Sequence, residues 1–177
     1  MESAEISIRR LEVSDATALY EAVRESLDTL GPWMPWCHRD YAPEESEQWV
    51  EKQIAAFNAG DEYTFAILRN SEHFAGICGL NSIDRVNHRA NLGYWIRASM
   101  TGKGMATAAA SLLAAWAFNA TDLNRLEIVA SVDNLASIRV AERCGAKREG
   151  TLRQRLVLHG KAHDAAVLSL TREDLTR

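Results

Sequence analysis

The segment Thr101-Gly102-Lys103-Gly104-Met105-Ala106-Thr107 constrains this chain more than any other. It follows an extended apolar stretch, Leu92-Gly93-Tyr94-Trp95-Ile96, and opens an Ala/Leu/Trp run from Met105 to Asn119 that reads as a helix. A strand, a glycine loop and then a helix make a ready anion site. The glycines let the backbone turn tightly, so successive N–H groups can point at one spot. The helix start adds orphan N–H donors and the positive end of its dipole. Phosphate is the natural occupant, and Lys103 supplies a full positive charge beside it. A plain flexible turn ahead of a helix would look the same, because two glycines before a helix are common.

Three phosphate readings compete. A nucleotide-triphosphatase loop needs Gly, four residues, then Gly-Lys-Ser/Thr. Here Gly102-Lys103 is followed by Gly104 and position 97 is Arg, so that motif fails twice. A dinucleotide fingerprint needs Gly-x-Gly-x-x-Gly/Ala directly after a strand. Gly102 and Gly104 fit it, Thr107 fills the third place, and Asp122 or Glu127 stands where the acidic partner is expected. A dinucleotide-binding oxidoreductase therefore stays open. The third reading is a coenzyme A pyrophosphate loop.

A length of 177 residues suits one domain, taken as 1–177, with a sizeable core. The net charge of −4 implies no broad basic surface, so no direct nucleic-acid partner is expected. A local basic cluster remains, because Arg139, Arg143, Lys147, Arg148, Arg153 and Arg155 crowd one segment. Cys37, Cys78 and Cys144 are odd in number and widely spaced. They offer neither zinc spacing nor a disulfide framework, so they read as small buried hydrophobes in a reducing cytoplasm. No metal is expected. Met1-Glu2-Ser3-Ala4-Glu5 lacks a secretory core, and no run approaches the roughly 18 apolar residues of a membrane helix.

Along the chain, Ile6–Arg9 alternates as a short strand, and Ser14-Asp15 offers an N-cap for a helix through about Leu27. A loop rich in proline and tryptophan, Gly31 to His38, follows. A second helix starts at Pro43, buries Trp49, Val50, Ile54 and Phe57, and stops at Gly60. Strands over Tyr63–Leu68 and Phe74–Leu80 flank a turn, and Arg89–Arg97 is a third. After the long helix come a strand at Arg125–Val132 and a helix at Leu135–Cys144. Two strands then turn at His159-Gly160. Strand–helix–strand–helix–strand argues parallel pairing and the hairpins argue antiparallel pairing, so a mixed α/β sheet is expected.

Two segments together resemble the GNAT superfamily of acetyl-CoA-dependent N-acetyltransferases. The first is Leu92–Ile96 with the Thr101–Thr107 loop, similar to the family's strand and its Gln/Arg-x-x-Gly-x-Gly/Ala turn. The second is Asp133-Asn134-Leu135-Ala136-Ser137 through Gly145-Ala146, followed by Glu149-Gly150. An Asn-x-x-Ser helix ending in Gly and then Glu-Gly is similar to the RimJ/RimL-like branch, the ribosomal-protein N-terminal acetyltransferases. The resemblance implies a largely antiparallel sheet flanked by helices, with a splayed central strand pair holding acetyl-CoA. It implies that backbone at Trp95 and Ile96 pairs with the pantetheine arm and that Gly102 to Thr107, with Met105 and Ala106, hold the pyrophosphate. Asn134 would bond the pantetheine amides and Ser137 would sit near the thioester sulfur. Thr101 replaces the usual Gln or Arg, with shorter reach and no charge. Ala141 stands where a tyrosine often protonates the thiolate in the wider family, and the ribosomal branch shares this serine-for-tyrosine arrangement. The implied assembly is the homodimer common among relatives.

Acetyl transfer needs a neutral amine, a stabilised thioester oxygen and a proton for the departing thiolate. Ser137 is the best acid, although Asn134-x-x-Ser137 is also ordinary helix-start capping. A backbone N–H of Leu92–Ile96 is the expected oxyanion donor. The base stays open among Glu127, Asp84, His88 and a water chain; Asn91 cannot accept a proton. Trp33, Trp36 and His38 could wall a groove for an amine-bearing acceptor, either a peptide N-terminus or a small molecule, or could pin their loop to the core. A non-catalytic acyl-CoA sensor and a purely structural protein are the remaining rivals.

Overall fold

The computed structural model, which describes residues 6–176, joins seven strands in one sheet, from the continuously buried run of Thr64–Leu68 to the largely exposed Lys147–Leu158. They are β1 (Ile6–Arg10), β2 (Tyr63–Arg69), β3 (His73–Asp84), β4 (Arg89–Ile96), β5 (Arg125–Ser131), β6 (Lys147–Leu158) and β7 (Lys161–Thr171). Their order is β1-β2-β3-β4-β5-β7-β6. Only β4 and β5 pair in parallel; every other neighbour is antiparallel. The parallel pairing expected of the whole second half therefore holds at one step. His159 and Gly160 both take positive φ, 49° and 75°, and close a tight hairpin. That hairpin slots β7 between β5 and β6, which run the same way without touching.

Five helices cover the faces: α1 (Asp15–Glu25), α2 (Leu27–Leu30), α3 (Pro43–Ala59), α4 (Met105–Ala120) and α5 (Leu135–Arg143). On one face α4 buries Ala109, Ala110, Leu113, Ala114 and Ala117 against Ile67, Leu80, Leu92, Leu126 and Leu168. Its alanines let helix and sheet approach closely. On the other face Leu19, Val23 and Val50, from α1 and α3, pack on Ala66, Leu68, Ile77 and Trp95. Cys37 and Cys78 are buried as expected, and Cys144 is only partly so.

Two helix ends depart from the sequence reading. Ser14 makes no side-chain cap; the Asp15 carboxylate instead accepts from the Glu12 N–H at 2.8 Å and from the Arg9 guanidinium at 2.7 and 2.8 Å. The first helix stops at Glu25 rather than near Leu27, because Ser26 turns its hydroxyl to the Ala22 carbonyl at 2.6 Å. The same Ser26 oxygen accepts from the Ala98 N–H at 2.9 Å. Glu25 accepts from Arg97 Nε at 3.0 Å and from the Ser99 N–H at 2.7 Å. These bonds lash the end of α1 to the chain leaving β4, directly before the glycine loop.

Arg97, and after it Ser99, hold the Glu25 carboxyl down to about 2. Its folded value lies below the usual 4.5, so its stabilisation is complete above pH 4.5 and lost as pH falls toward 2. Glu25→Gln should cost about 1 kcal/mol at pH 7, allowing for solvent screening of a partly exposed pair. Paired thermal melts should show the difference from wild type closing between pH 4.5 and 2. A gap independent of pH would rule out the ion pair as its source.

Candidate active site

β4 and β5 are paired only at Arg89↔Arg125, Ala90↔Leu126 and Asn91↔Glu127. β4 stays joined to β3 through Ile96, and β5 to β7 through Ser131. Beyond Asn91 the two parallel strands therefore part, each held by its outer neighbour. The Tyr94 ring spans the gap, and its hydroxyl donates to the Ser137 carbonyl of α5 at 2.8 Å. A cavity of about 720 Å³ fills the wedge. Leu92 to Ile96 and Ile128 to Ser131 form its sides, with α4 and α5 starting at its rim.

The glycine loop meets this cavity with bare backbone. Gly102 and Gly104 have φ of 74° and 75°, left-handed values that an L side chain resists. A Cβ at either would meet nothing within 4 Å, so the space before them is open. Gly104 is the N-cap of α4 and brings no side chain to its first N–H groups. Thr101 lines the cavity but spends its hydroxyl proton on the Ala98 carbonyl at 2.9 Å. Lys103 lies outside the lining and donates to the Ser99 carbonyl at 3.0 Å. Met105, Ala106 and Thr107 line the cavity with Gly102 and Gly104.

Asn134 and Ser137 lie together on the opposite wall. Asn134 Oδ1 accepts from the Ser137 N–H at 3.1 Å, so the capping reading is the observed one. Capping engages the amide oxygen, while the NH₂ draws no protein acceptor among the described residues. Ser137 Oγ lies 3.3 Å from the Tyr94 hydroxyl. Burial pushes Tyr94 up to about 12 despite that hydrogen bond, so the phenol keeps its proton at neutral pH. Arg139 and Arg143, from the basic segment, also reach the lining.

The carboxylates and histidine named as bases sit elsewhere. Asp84 is held down to about 2 by Asn87 and then Arg89. Glu127 pairs with Arg125 at 2.9 Å and with Arg89 at 3.4 Å. His88 Nδ1 lies 3.0 Å from Asp122. All belong to the closed end of the wedge, and none lines the wedge cavity or the cavity on the sheet's other face. Asn91 does line the wedge and donates to Asn81 Oδ1 at 3.0 Å.

A second cavity, about 380 Å³, lies on the α1/α3 face of the same strand. Gly93, Tyr94 and Trp95 border both cavities. Gly79 and Gly93 are register partners, which leaves a bare patch on the sheet. Around it stand Trp36, Tyr41, Trp49 and Trp95, with Glu45, Gln53, Glu62, Thr64 and Asn81. The expected substrate wall is thus divided. Trp33 borders the wedge and Trp36 the second cavity, where its ring lies 6.2 Å from Trp95. His38 borders neither and sits 3.2 Å from Glu45. Tyr94, Gln53, Glu62 and Thr64 escaped the sequence reading. One signal was available: Gln53 stands four residues after Trp49, a polar residue on the apolar stripe of α3.

Comparison with known proteins agrees with this geometry. YdaF of Bacillus subtilis (strain 168) is 33% identical over 173 residues, covering 96% of this chain and 92% of that protein. The microcin C7 self-immunity acetyltransferase MccE, in complex with acetyl-CoA and AMP, matches with TM-score 0.89. It is 26% identical, over 94% of this chain and 92% of that one. The ribosomal L7/L12 α-N-protein acetyltransferase RimL, in complex with coenzyme A, matches with TM-score 0.87 and 26% identity, over 94% and 93%. The family described as "Acetyltransferase (GNAT) domain" covers residues 5–147. The glycine loop and the α5 cap lie within that match, and the chain belongs to the GNAT acetyltransferases.

Proposed function

We propose that this protein moves an acetyl group directly from acetyl-CoA, bound in the wedge, to a primary amine presented from the second cavity. The observation that carries the reading is the common wall: one short piece of strand, Gly93 to Trp95, faces both spaces. Donor and acceptor can meet there without sharing a site. The residues fit coenzyme A. Bare N–H groups at Gly102 to Thr107 suit a pyrophosphate. The β5-facing backbone of Leu92 to Ile96 suits the amides of a pantetheine arm, much like an added strand. Asn134 offers its free NH₂ to the same arm. Arg139 and Arg143 add positive charge on the rim.

Bound acetyl-CoA supplies an already activated acyl group and a thiolate leaving group. The chain supplies position and a proton. The Tyr94 hydroxyl donates its hydrogen bond to the Ser137 carbonyl, which leaves the Ser137 Oγ–H as the mobile proton of the pair. That hydroxyl is the acid: its proton passes to the departing thiolate, and the proton shed by the attacking amine, carried through solvent, restores it. The acceptor is an amine on a protein N-terminus, as RimL's description specifies, or on a small molecule. Three free cysteines suit a reducing cytoplasm.

A thermal melt with acetyl-CoA, and with NADH as control, tests the cofactor. At 100 times the dissociation constant a ligand adds about 2.7 kcal/mol, roughly 5–10 °C for a domain of this size. Only acetyl-CoA should raise the melt. Ser137→Ala should keep that rise and lower turnover about 10²-fold, measured by CoA release with an amine panel. Full turnover in the variant would remove Ser137 as the acid. A flat melt would remove the wedge as the cofactor site.

A further inference from the structure

We infer that the acceptor carries a second cationic group, and that Glu62 selects it. The inference rests on the acetyltransferase reading above. No Lys, Arg or His lines the second cavity, while two carboxylates and five large aromatic rings do. Aromatic faces and carboxylates together favour a cation. The two carboxylates differ. Both oxygens of Glu45 are engaged, by the Ala42 N–H at 2.9 Å and by His38 at 3.2 Å. Glu62 accepts a single bond, from Gln53 Nε2 to Oε2 at 3.1 Å, and its Oε1 has no protein partner among the described residues. The nearby guanidinium of Arg85 is occupied by the Gly60 carbonyl at 2.8 Å and lies 3.7 Å from Asp61.

Glu62 is also aimed. Gln53 is 6% exposed and Thr64 is 7% exposed. The Thr64 hydroxyl donates to Gln53 Oε1, which turns the Gln53 NH₂ toward Glu62. Thr64 pairs with Gly79, and Gly79 with Gly93. Glu62, two residues before Thr64, therefore stands on the same face, about two strand spacings or roughly 10 Å from the β4 wall. An amine placed over Gly93 would present its far end to Glu62. A diamine of about that span, or a peptide N-terminus followed by Lys or Arg, supplies the required second charge.

The test compares 1,8-diaminooctane with octylamine, and an Arg-second tetrapeptide with its Ala-second counterpart, by CoA release. One charged hydrogen bond should favour the dication about ten- to hundredfold in kcat/KM in at least one pair. The preferred pair identifies the source of the charge. Glu62→Gln should bring that ratio close to one, chiefly by raising KM for the dication. Glu72→Gln, which removes the same charge from the exposed β2–β3 turn, should leave the ratio as it was. Equal use of mono- and dication in both pairs overturns the inference and spares the acetyltransferase reading. So does a Glu62→Gln variant that slows both partners alike. Absence of turnover with every amine overturns both.

Discussion

Gly104→Trp is expected to abolish the acetyl-CoA-induced rise in melting temperature while leaving the protein folded. Gly104 sits at φ 75°, and a side chain there costs about 1–2 kcal/mol in backbone strain. That loss lowers the unliganded melt by only a few degrees. The larger effect is occupancy. An added Cβ meets nothing within 4 Å, so the side chain leaves the backbone into the open space ahead of the loop. It fills the space before the first N–H groups of α4, where the pyrophosphate would lie. Affinity should fall at least 10²-fold, read as loss of the melt shift at a concentration that gives wild type its full rise. A shift of wild-type size would refute the placement of the phosphates at this loop.

Gly93→Val should do the converse: keep cofactor binding and lose transfer. Gly93 has ordinary strand φ, and a Cβ there also meets nothing within 4 Å. Valine suits a strand, so stability should change by less than about 1 kcal/mol. Residue 93 shares the sheet face of Trp95, so the new side chain rises from the bare patch into the second cavity. An acceptor crossing that patch would be displaced from the wall it must reach, and misplacement by an ångström costs about 10²-fold. CoA release should drop by that much or more while the acetyl-CoA melt shift persists. Undiminished release would show that the acceptor travels by another route.

These two glycines also show what a sequence can and cannot disclose. Gly104 was legible because its setting is local: a strand before it, a helix after it, and a second glycine two residues away. Asn134 and Ser137 were legible for the same reason, since a cap and its recipient are three residues apart. Gly93 was not, because its meaning depends on Gly79, which only strand register places beside it. Tyr94 was read as one apolar residue in a strand; its contact with Ser137 spans 43 positions. Gln53, Glu62 and Thr64 form their chain across the end of a helix and the start of a strand. The base was left open among residues whose partners are set by the fold. Asp84 and Glu127 look available in isolation, and the fold gives each of them an arginine. The sheet's order was half legible, since the hairpins were evident but nothing local says that β7 enters between β5 and β6.

Three residue pairs are all that join β1–β4 directly to β5–β7 within the sheet. A plate attached along so short a seam is mechanically weakest there. Bending about Asn91 and Glu127 strains three rungs of backbone bonding, whereas parting β5 from β7 would break seven. Within the sheet this seam has the fewest register pairs, and beyond it the Tyr94–Ser137 bond ties the two walls of the wedge. The breadth of molecule that it admits is set by the stiffness of that seam as much as by the side chains along its walls.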